Sequence, residues 1–314
     1  MTSLVRVSFW LVMTPRPHQV DAIKFGLSLL ESTKARGLVQ MPTGSGKTNV
    51  GVILAHEWIK RGGNVTFLEP SEEVIEQVRR AAMMRGLCPV IEKAEKHASR
   101  HAPCVVASYN TMWRRHEKYR KPKSLAILDE CHHFNYNAES NLMVAGIFER
   151  AIGLSATPWS DGCLDFFEHR QHTYSLSQAI RDQVNCDFDI ASWDEPATGK
   201  YQIVYCGSYA DVRQMCQRIR PSDYAVYQEA DARKNIARFR CGALGTIVVN
   251  RMLTEGFDLP QIKRVWVARD TESEIFALQM AGRALRPFRG ERATIYVQSD
   301  KTLHTLKSAL TRAG

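Results

Sequence analysis

Paired cysteines are missing from this sequence. Its 8 cysteines, Cys88, Cys104, Cys131, Cys163, Cys186, Cys206, Cys216 and Cys241, are scattered, with no C-x-x-C pair among them. That spacing supports neither a zinc nor an iron–sulfur site and reads as reduced thiols of a cytoplasmic protein. Long apolar runs are missing as well. The stretch 4–13, LVRVSFWLVM, carries Arg6, is too short to cross a bilayer and has no small-residue cleavage site. No membrane association is expected of it; a packed strand or an ordered tail is. Acidic residues are the scarcer charge: 33 Asp and Glu stand against 42 Lys and Arg, giving +9 and a pI near 9.2. That balance favours a polyanionic partner. An apolar fraction of 44% over 314 residues is enough for about two domains, each with its own core.

What is present is organised around the stretch 37–48, GLVQMPTGSGKT. Leu38-Val39-Gln40 ends a short apolar strand, Pro42-Thr43-Gly44-Ser45-Gly46 makes a tight loop, and Lys47-Thr48 opens a helix. Successive backbone N–H groups and the positive end of a helix dipole then surround one point, which suits phosphate. Lys47 would reach the β- and γ-phosphates of a nucleotide, and the Thr48 hydroxyl would bind Mg²⁺. The general pattern G-x-x-x-x-G-K-[ST] asks for glycine at position 41, where this chain has Met41. Upstream, PRPHQ (15–19) leads into a helix with a mostly apolar face. The Gln19 amide offers a donor and an acceptor together, as reading an adenine edge requires; alone, it reads as a helix-start residue.

Beyond the loop, a strand at 64–69 stops at Pro70, and Ser71 is a good N-cap for the helix that follows. A basic stretch from Arg79 to Lys123 surrounds the short strand 104–107, whose carboxyl end carries Ser108, Tyr109, Asn110 and Thr111. In open α/β sheets ligands bind beyond that end, so the stretch reads either as a phosphodiester track or as a solvated basic face. The strand 124–128 ends in Asp129-Glu130-Cys131-His132-His133. Asp129 can hold the Mg²⁺ water shell while Glu130 activates a water; adjacent histidines rarely aim at one ion and are not read as ligands. Another strand closes on Ser155-Ala156-Thr157-Pro158, hydroxyls able to sense a phosphate or a facing domain. A linker is expected at 194–200, between a first domain at 1–193 and a second strand–helix series at 201–314. The second unit has no glycine phosphate loop; it has TEGFD (254–258) and QMAGRALRP (279–287). Read as a helix, the latter puts Arg283 and Arg286 at i and i+3 on one face, suited to a γ-phosphate.

The order and spacing of these pieces resemble a superfamily 2 helicase core over nearly the whole chain. The DECH run and the RPHQ opening resemble the restriction, repair and recombination branch, with compact phage and bacterial members nearest. The resemblance implies an α/β fold of two tandem RecA-like domains, each a mainly parallel sheet flanked by helices. It implies ATP and Mg²⁺ as cofactors. Gln19 would contact adenine; Pro42, Thr43, Gly44, Ser45, Gly46, Lys47 and Thr48 would hold the phosphates, with Thr48 and Asp129 on Mg²⁺. Glu130 would activate water, and Gly256 and Asp258 would sense the nucleotide. Arg283 and Arg286 would complete the site, while Ser155, Thr157 and Gln279 couple it to domain closure. Ser71, Asn110, Thr111, Arg114 and Thr254 would grip nucleic acid, DNA before RNA, through its backbone. The implied activity is ATP-dependent helicase or translocase work; the alternative is remodelling or annealing without strand separation. No nuclease constellation is present, so a separate nuclease, or a partner supplying processivity, is the protein partner to expect.

Overall fold

The computed structural model describes residues 14–136, 146–193, 199–219, 222–225, 231–250, 253 and 257–314. The run 4–13, residues 194–198 of the expected linker, and Thr254 and Gly256 lie outside the described residues.

The chain opens with α1 (Pro17–Glu31), β1 (Arg36–Gln40), α2 (Lys47–Lys60), β2 (Asn64–Glu69), α3 (Glu72–Met84), β3 (Val90–Glu92), β4 (Cys104–Ser108) and α4 (Tyr109–Arg115). It continues through β5 (Ser124–Asp129), β6 (Arg150–Ser155), α5 (Cys163–Phe166), β7 (Gln171–Thr173) and α6 (Leu176–Arg181). These strands form a 7-stranded sheet in the order β3-β4-β2-β5-β6-β1-β7, and its pairings are parallel. Alternate residues feed separate cores on its two faces: Val39 and Phe67 pack with the α1–α3 side, Leu38 and Leu68 with Met112, Tyr119 and Phe134. β5 is buried at every position, the pattern of a central parallel strand covered on both faces.

The second half holds β8 (Phe188–Ser192), β9 (Gln202–Cys206), α7 (Tyr209–Arg218), β10 (Ser222–Ala225), α8 (Ala232–Arg240), β11 (Thr246–Val249), β12 (Arg264–Ala268), α9 (Glu274–Gly282), β13 (Ala293–Val297) and α10 (Asp300–Ala313). A 6-stranded sheet results, ordered β10-β11-β9-β12-β13-β8 and also parallel in its pairings. The expected boundary after residue 193 falls too late. β8 pairs with β13 from Phe188↔Ala293 to Ser192↔Val297, so the chain has entered the second sheet before 194–200. As a half-buried edge strand, β8 lacks the apolar run that marks a central one.

β5, β6 and β1 are neighbours, with Gln40 beside Ser155 and Asp129 beside Leu154. The phosphate loop, the Asp-Glu pair and the Ser155–Thr157 turn therefore leave three adjacent strands at their carboxyl ends.

Candidate nucleotide site between the domains

The phosphate loop is shaped from within. Gly44 and Gly46 take φ of 86° and 88°, left-handed conformations that favour glycine. Ser45 Oγ donates to Pro42 O at 2.7 Å; Ser45 is buried and Pro42 lines a small cavity behind the loop. These two, expected as ligand contacts, form the loop instead of lining its open side. Met41 is fully buried in the first domain's core, and its N–H donates to Ser155 O at 3.1 Å. A side chain at the missing-glycine position is therefore core packing that leaves the phosphate side untouched.

Gln19 is bonded to the loop itself. Its amide nitrogen donates to Ser45 O at 3.0 Å and Gly46 O at 3.3 Å, while its oxygen accepts from Arg16 N–H at 3.0 Å and Asn49 Nδ2 at 3.1 Å. Both ends of the amide serve protein atoms, and a Cβ at Gly46 would fall 2.4 Å from Gln19 Nε2. Gln19 straps the phosphate loop; the helix-start position is what brings it there.

A cleft of about 490 Å³ opens over the loop, lined by Gln19, Thr43, Gly44, Gly46, Lys47, Thr48, Asp129 and Glu130 from the first domain and Asp258, Arg283 and Arg286 from the second. A recess of about 280 Å³ beside it shares Arg16, Val184 and Pro287 and adds His18 and Asp182. Thr48 Oγ1 donates to Asp129 Oδ2 at 2.8 Å, and Lys47 Nζ lies 3.8 Å from Glu130 Oε1. Burial and the neighbouring Glu130 charge push the Asp129 carboxyl above its usual range, with Lys47 opposing. Glu69, fully buried at the end of β2, is raised well above the usual range by burial and by the charges of Asp129 and Glu130. A hydroxyl, a buried carboxylate and uncompensated negative charge fit a hydrated divalent cation held with a nucleotide.

The two arginines converge by a route other than the one expected. α9 stops at Gly282, and Arg283 is its C-cap. Tight turns follow, with Ala284 N–H to Ala281 O at 3.0 Å and Leu285 N–H to Gly282 O at 3.4 Å. Pro287 keeps the helix from resuming, because the residue before a proline, Arg286, is disfavoured in the helical region. Arg283 Nη1 and Arg286 Nη1 nevertheless donate to the same acceptor, Phe257 O, at 2.7 Å and 2.6 Å. Arg286 also pairs with Asp258 at 3.1 Å. Its stem crosses the loop, so that a Cβ on Gly44 would meet Arg286 Cγ at 3.1 Å.

His132, to which the sequence reading assigned no role, sits between the two domains' expected coupling residues. Its Nδ1 lies 2.9 Å from Ser155 Oγ, its Nε2 lies 2.8 Å from Gln279 Nε2, and Thr157 N–H donates to Ser155 Oγ at 3.0 Å. An amide nitrogen only donates, so Nε2 accepts and Nδ1 carries the proton. Ser155, Thr157 and Gln279, expected to couple the halves, thus meet through one imidazole. The i+2 position after an expected catalytic Glu130 was the available signal.

On the rim, Ser71 caps α3 by accepting Val74 N–H, and Ser108 caps α4 by accepting Thr111 N–H at 3.1 Å. The ends of β2 and β4 are adjacent, with Glu69 beside Ser108, which brings Ser71 near the exposed Asn110 and Arg114. Tyr109 OH donates to Asp129 O at 2.9 Å, linking α4 to the Asp-Glu strand end. Much of the basic stretch is internally paired: Arg79 and Arg80 with Glu76, Lys93 with Glu72, Arg115 and Lys118 with Glu92. No helix among the described residues is long and apolar enough to cross a membrane.

Residues 12–160 match the family model described as "Type III restriction enzyme, res subunit". That match covers just under half of the chain. The two sheets have the fold of tandem RecA-like domains. A "51.5 kDa protein" of a Lactococcus phage is 22% identical over 294 residues, covering 79% of this chain and 62% of that relative. Among solved structures, the ATP-dependent Type ISP restriction-modification enzyme LlaBIII bound to DNA is similar with a TM-score of 0.74 and 13% identity, over 96% of this chain and 30% of that one. The S. cerevisiae Dbp5 bound to RNA and ADP BeF3 gives a TM-score of 0.66 and 14% identity, over 95% of this chain and 92% of that one.

Proposed function

We propose that this chain is a superfamily 2 helicase core of the restriction–repair branch, an ATP-driven motor that moves along or remodels nucleic acid, DNA before RNA. One observation carries the reading: Lys47, Thr48, Asp129 and Glu130 of one domain line the same cleft as Arg283 and Arg286 of the other. The loop N–H groups and Lys47 hold the phosphates, and the Glu130 carboxylate takes the proton of the attacking water. Thr48 and Asp129 hold Mg²⁺, which when bound neutralises phosphate charge. Arg283 and Arg286 gain charge-assisted bonds to the γ-phosphate only while the domains are closed, so its loss lets them part. Gly256 and Asp258 report the nucleotide to the second domain. Gln19 acts mainly by holding the loop against the base recess. Nucleic acid lies across Ser71, Asn110, Thr111 and Arg114, with Thr254 from the second domain, held through its phosphates. The match to a restriction-enzyme subunit and the DNA held by LlaBIII favour DNA; the RNA held by Dbp5 makes RNA the necessary comparison.

ATPase rates against single-stranded, duplex and branched DNA and RNA test the proposal. DNA is expected to raise a Mg²⁺-dependent rate more than RNA does, and Lys47→Ala to lower it by about a hundredfold or more. Wild-type turnover in Lys47→Ala, or turnover indifferent to every nucleic acid, would overturn it. Translocation without strand separation is the second reading. Every described strand lies in one of the two sheets, so no described strand forms an added separation wedge. Displacement assays on forked and blunt duplexes distinguish the two.

A further inference from the structure

Asn185, only 2% exposed, lies between the domains in a segment that no motif singled out. Its side-chain NH₂ donates to two main-chain carbonyls, Thr43 O at 3.1 Å and Leu285 O at 3.2 Å. Thr43 belongs to the phosphate loop of the first domain. Leu285 belongs to the turn of the second that carries Arg283 and Arg286. The amide's orientation follows from chemistry, since turning it over would set its oxygen against two acceptors.

Neighbouring donors hold the same turn. Cys186 N–H reaches Leu285 O at 2.8 Å and Cys186 Sγ reaches Ala284 O at 3.4 Å. Lys263, 7% exposed, donates from Nζ to Ala284 O at 3.2 Å and also to Arg286 O. The carbonyls left over at the end of a helix ordinarily go to water or to a cap. Here three in succession, 284 to 286, are taken by side chains and backbone of the interdomain segment and β12's flank. Close packing adds to this: a Cβ on Gly282 would stand 3.2 Å from Thr43 Cβ.

Filling space does not explain an amide at position 185. Its oxygen is buried and meets no donor among the described residues, and a buried unpaired acceptor is destabilising. An apolar side chain would avoid that cost, so the two donor bonds are what the residue is there for. We propose that Asn185 is a positioning residue for hydrolysis. It latches the phosphate loop to the arginine turn and so sets how far the two guanidiniums stand from the γ-phosphate. The latch rests on the motor reading above and names the residue that joins its two half-sites.

The test uses the full chain with saturating stimulatory nucleic acid, comparing wild type, Asn185→Ala, Arg286→Ala and the double variant. ATPase kinetics and equilibrium binding of a fluorescent ATP analogue are the readouts. Asn185→Ala is expected to lower kcat about tenfold while the analogue's Kd stays within about threefold. In the Arg286→Ala background the same change is expected to alter kcat by less than about twofold, because part of what it positions is gone. Asn185→Asp keeps the shape but sets a carboxylate against two carbonyls; it is expected to lose kcat at least as strongly, and stands in if the alanine variant does not fold. Wild-type kcat in the Asn185 variants, or the same tenfold loss with and without Arg286, would overturn the latch. A wild-type chain without nucleic-acid-stimulated ATPase would sink the motor reading and the latch together, an outcome separate from either of those.

Discussion

His132 joins the two domains through one ring. Because Nε2 accepts from Gln279 and Nδ1–H faces Ser155 Oγ, a shift of α9 is felt at the Ser155–Thr157 turn and beside Glu130, whose carboxylate lies 3.5 Å from the same ring. Removing either end should uncouple the halves without removing the proposed nucleotide ligands. His132→Ala and Gln279→Ala are each expected to lower kcat about tenfold, and the double variant no further than His132→Ala, since both delete the bond between Gln279 and the His132 ring. Losses that multiply in the double variant would mean that the two residues act separately. Glu130 makes a different prediction. Glu130→Gln keeps the volume and hydrogen-bonding reach but removes the base, so single-turnover hydrolysis should fall by about 10²- to 10⁴-fold with nucleotide binding retained. The left-handed backbone at Glu130, with φ of 45°, is uncommon for a non-glycine residue.

At the scale of elements, β3 and the α4 region are held by one carboxylate. Glu92 is fully buried and accepts from Lys118 at 2.7 Å, from Ala98 N–H at 2.9 Å, and from Arg115 and Tyr119. Burial pushes its carboxyl up, but the Lys118, Tyr119, Arg115 and Ala98 donors outweigh that and bring it to about 2. A carboxyl lowered on folding stabilises above its unfolded value, near 4.3, and loses that contribution as pH falls toward 2. Glu92→Gln is therefore expected to destabilise the first domain by about 3 kcal/mol at neutral pH, with the gap to wild type closing in acid. Urea titrations at pH 7 and pH 3 measure this; an unchanged gap at both would refute it. These elements also mark how far the sequence could be read. The phosphate loop and β5 were legible because glycine conformation and a two-sided apolar run are local signals. The sheet to which β8 belongs, the end of α9 ahead of Pro287, and the pairing of Arg115 and Lys118 with Glu92 depend on contacts distant in sequence. Asn185 was invisible for the same reason: its two acceptors lie 142 and 100 residues away.

For the whole molecule, the proposed phosphate and Mg²⁺ ligands and the rim at Asn110 and Arg114 hang on one sheet, while Arg283 and Arg286 hang on the other. A nucleotide that draws the domains together must then also change the affinity for anything lying across both. Linkage makes this reciprocal: if an ATP analogue tightens DNA binding by some factor, DNA tightens the analogue by the same factor. A factor of about 10 is expected, within the usual range of coupling energies. Arg283→Ala should bring the factor close to 1 while each ligand still binds alone, because that guanidinium is buried between the domains and held to Phe257 O. Contact through phosphates adds a second signature. About four such contacts to single-stranded DNA give a slope near −3 in log K against log salt. Fluorescence anisotropy with and without the analogue, across a salt series, reads both quantities in one experiment. A slope near zero would place binding away from the basic rim. Unequal factors in the two directions would show that the two ligands had not been measured in the same pair of states.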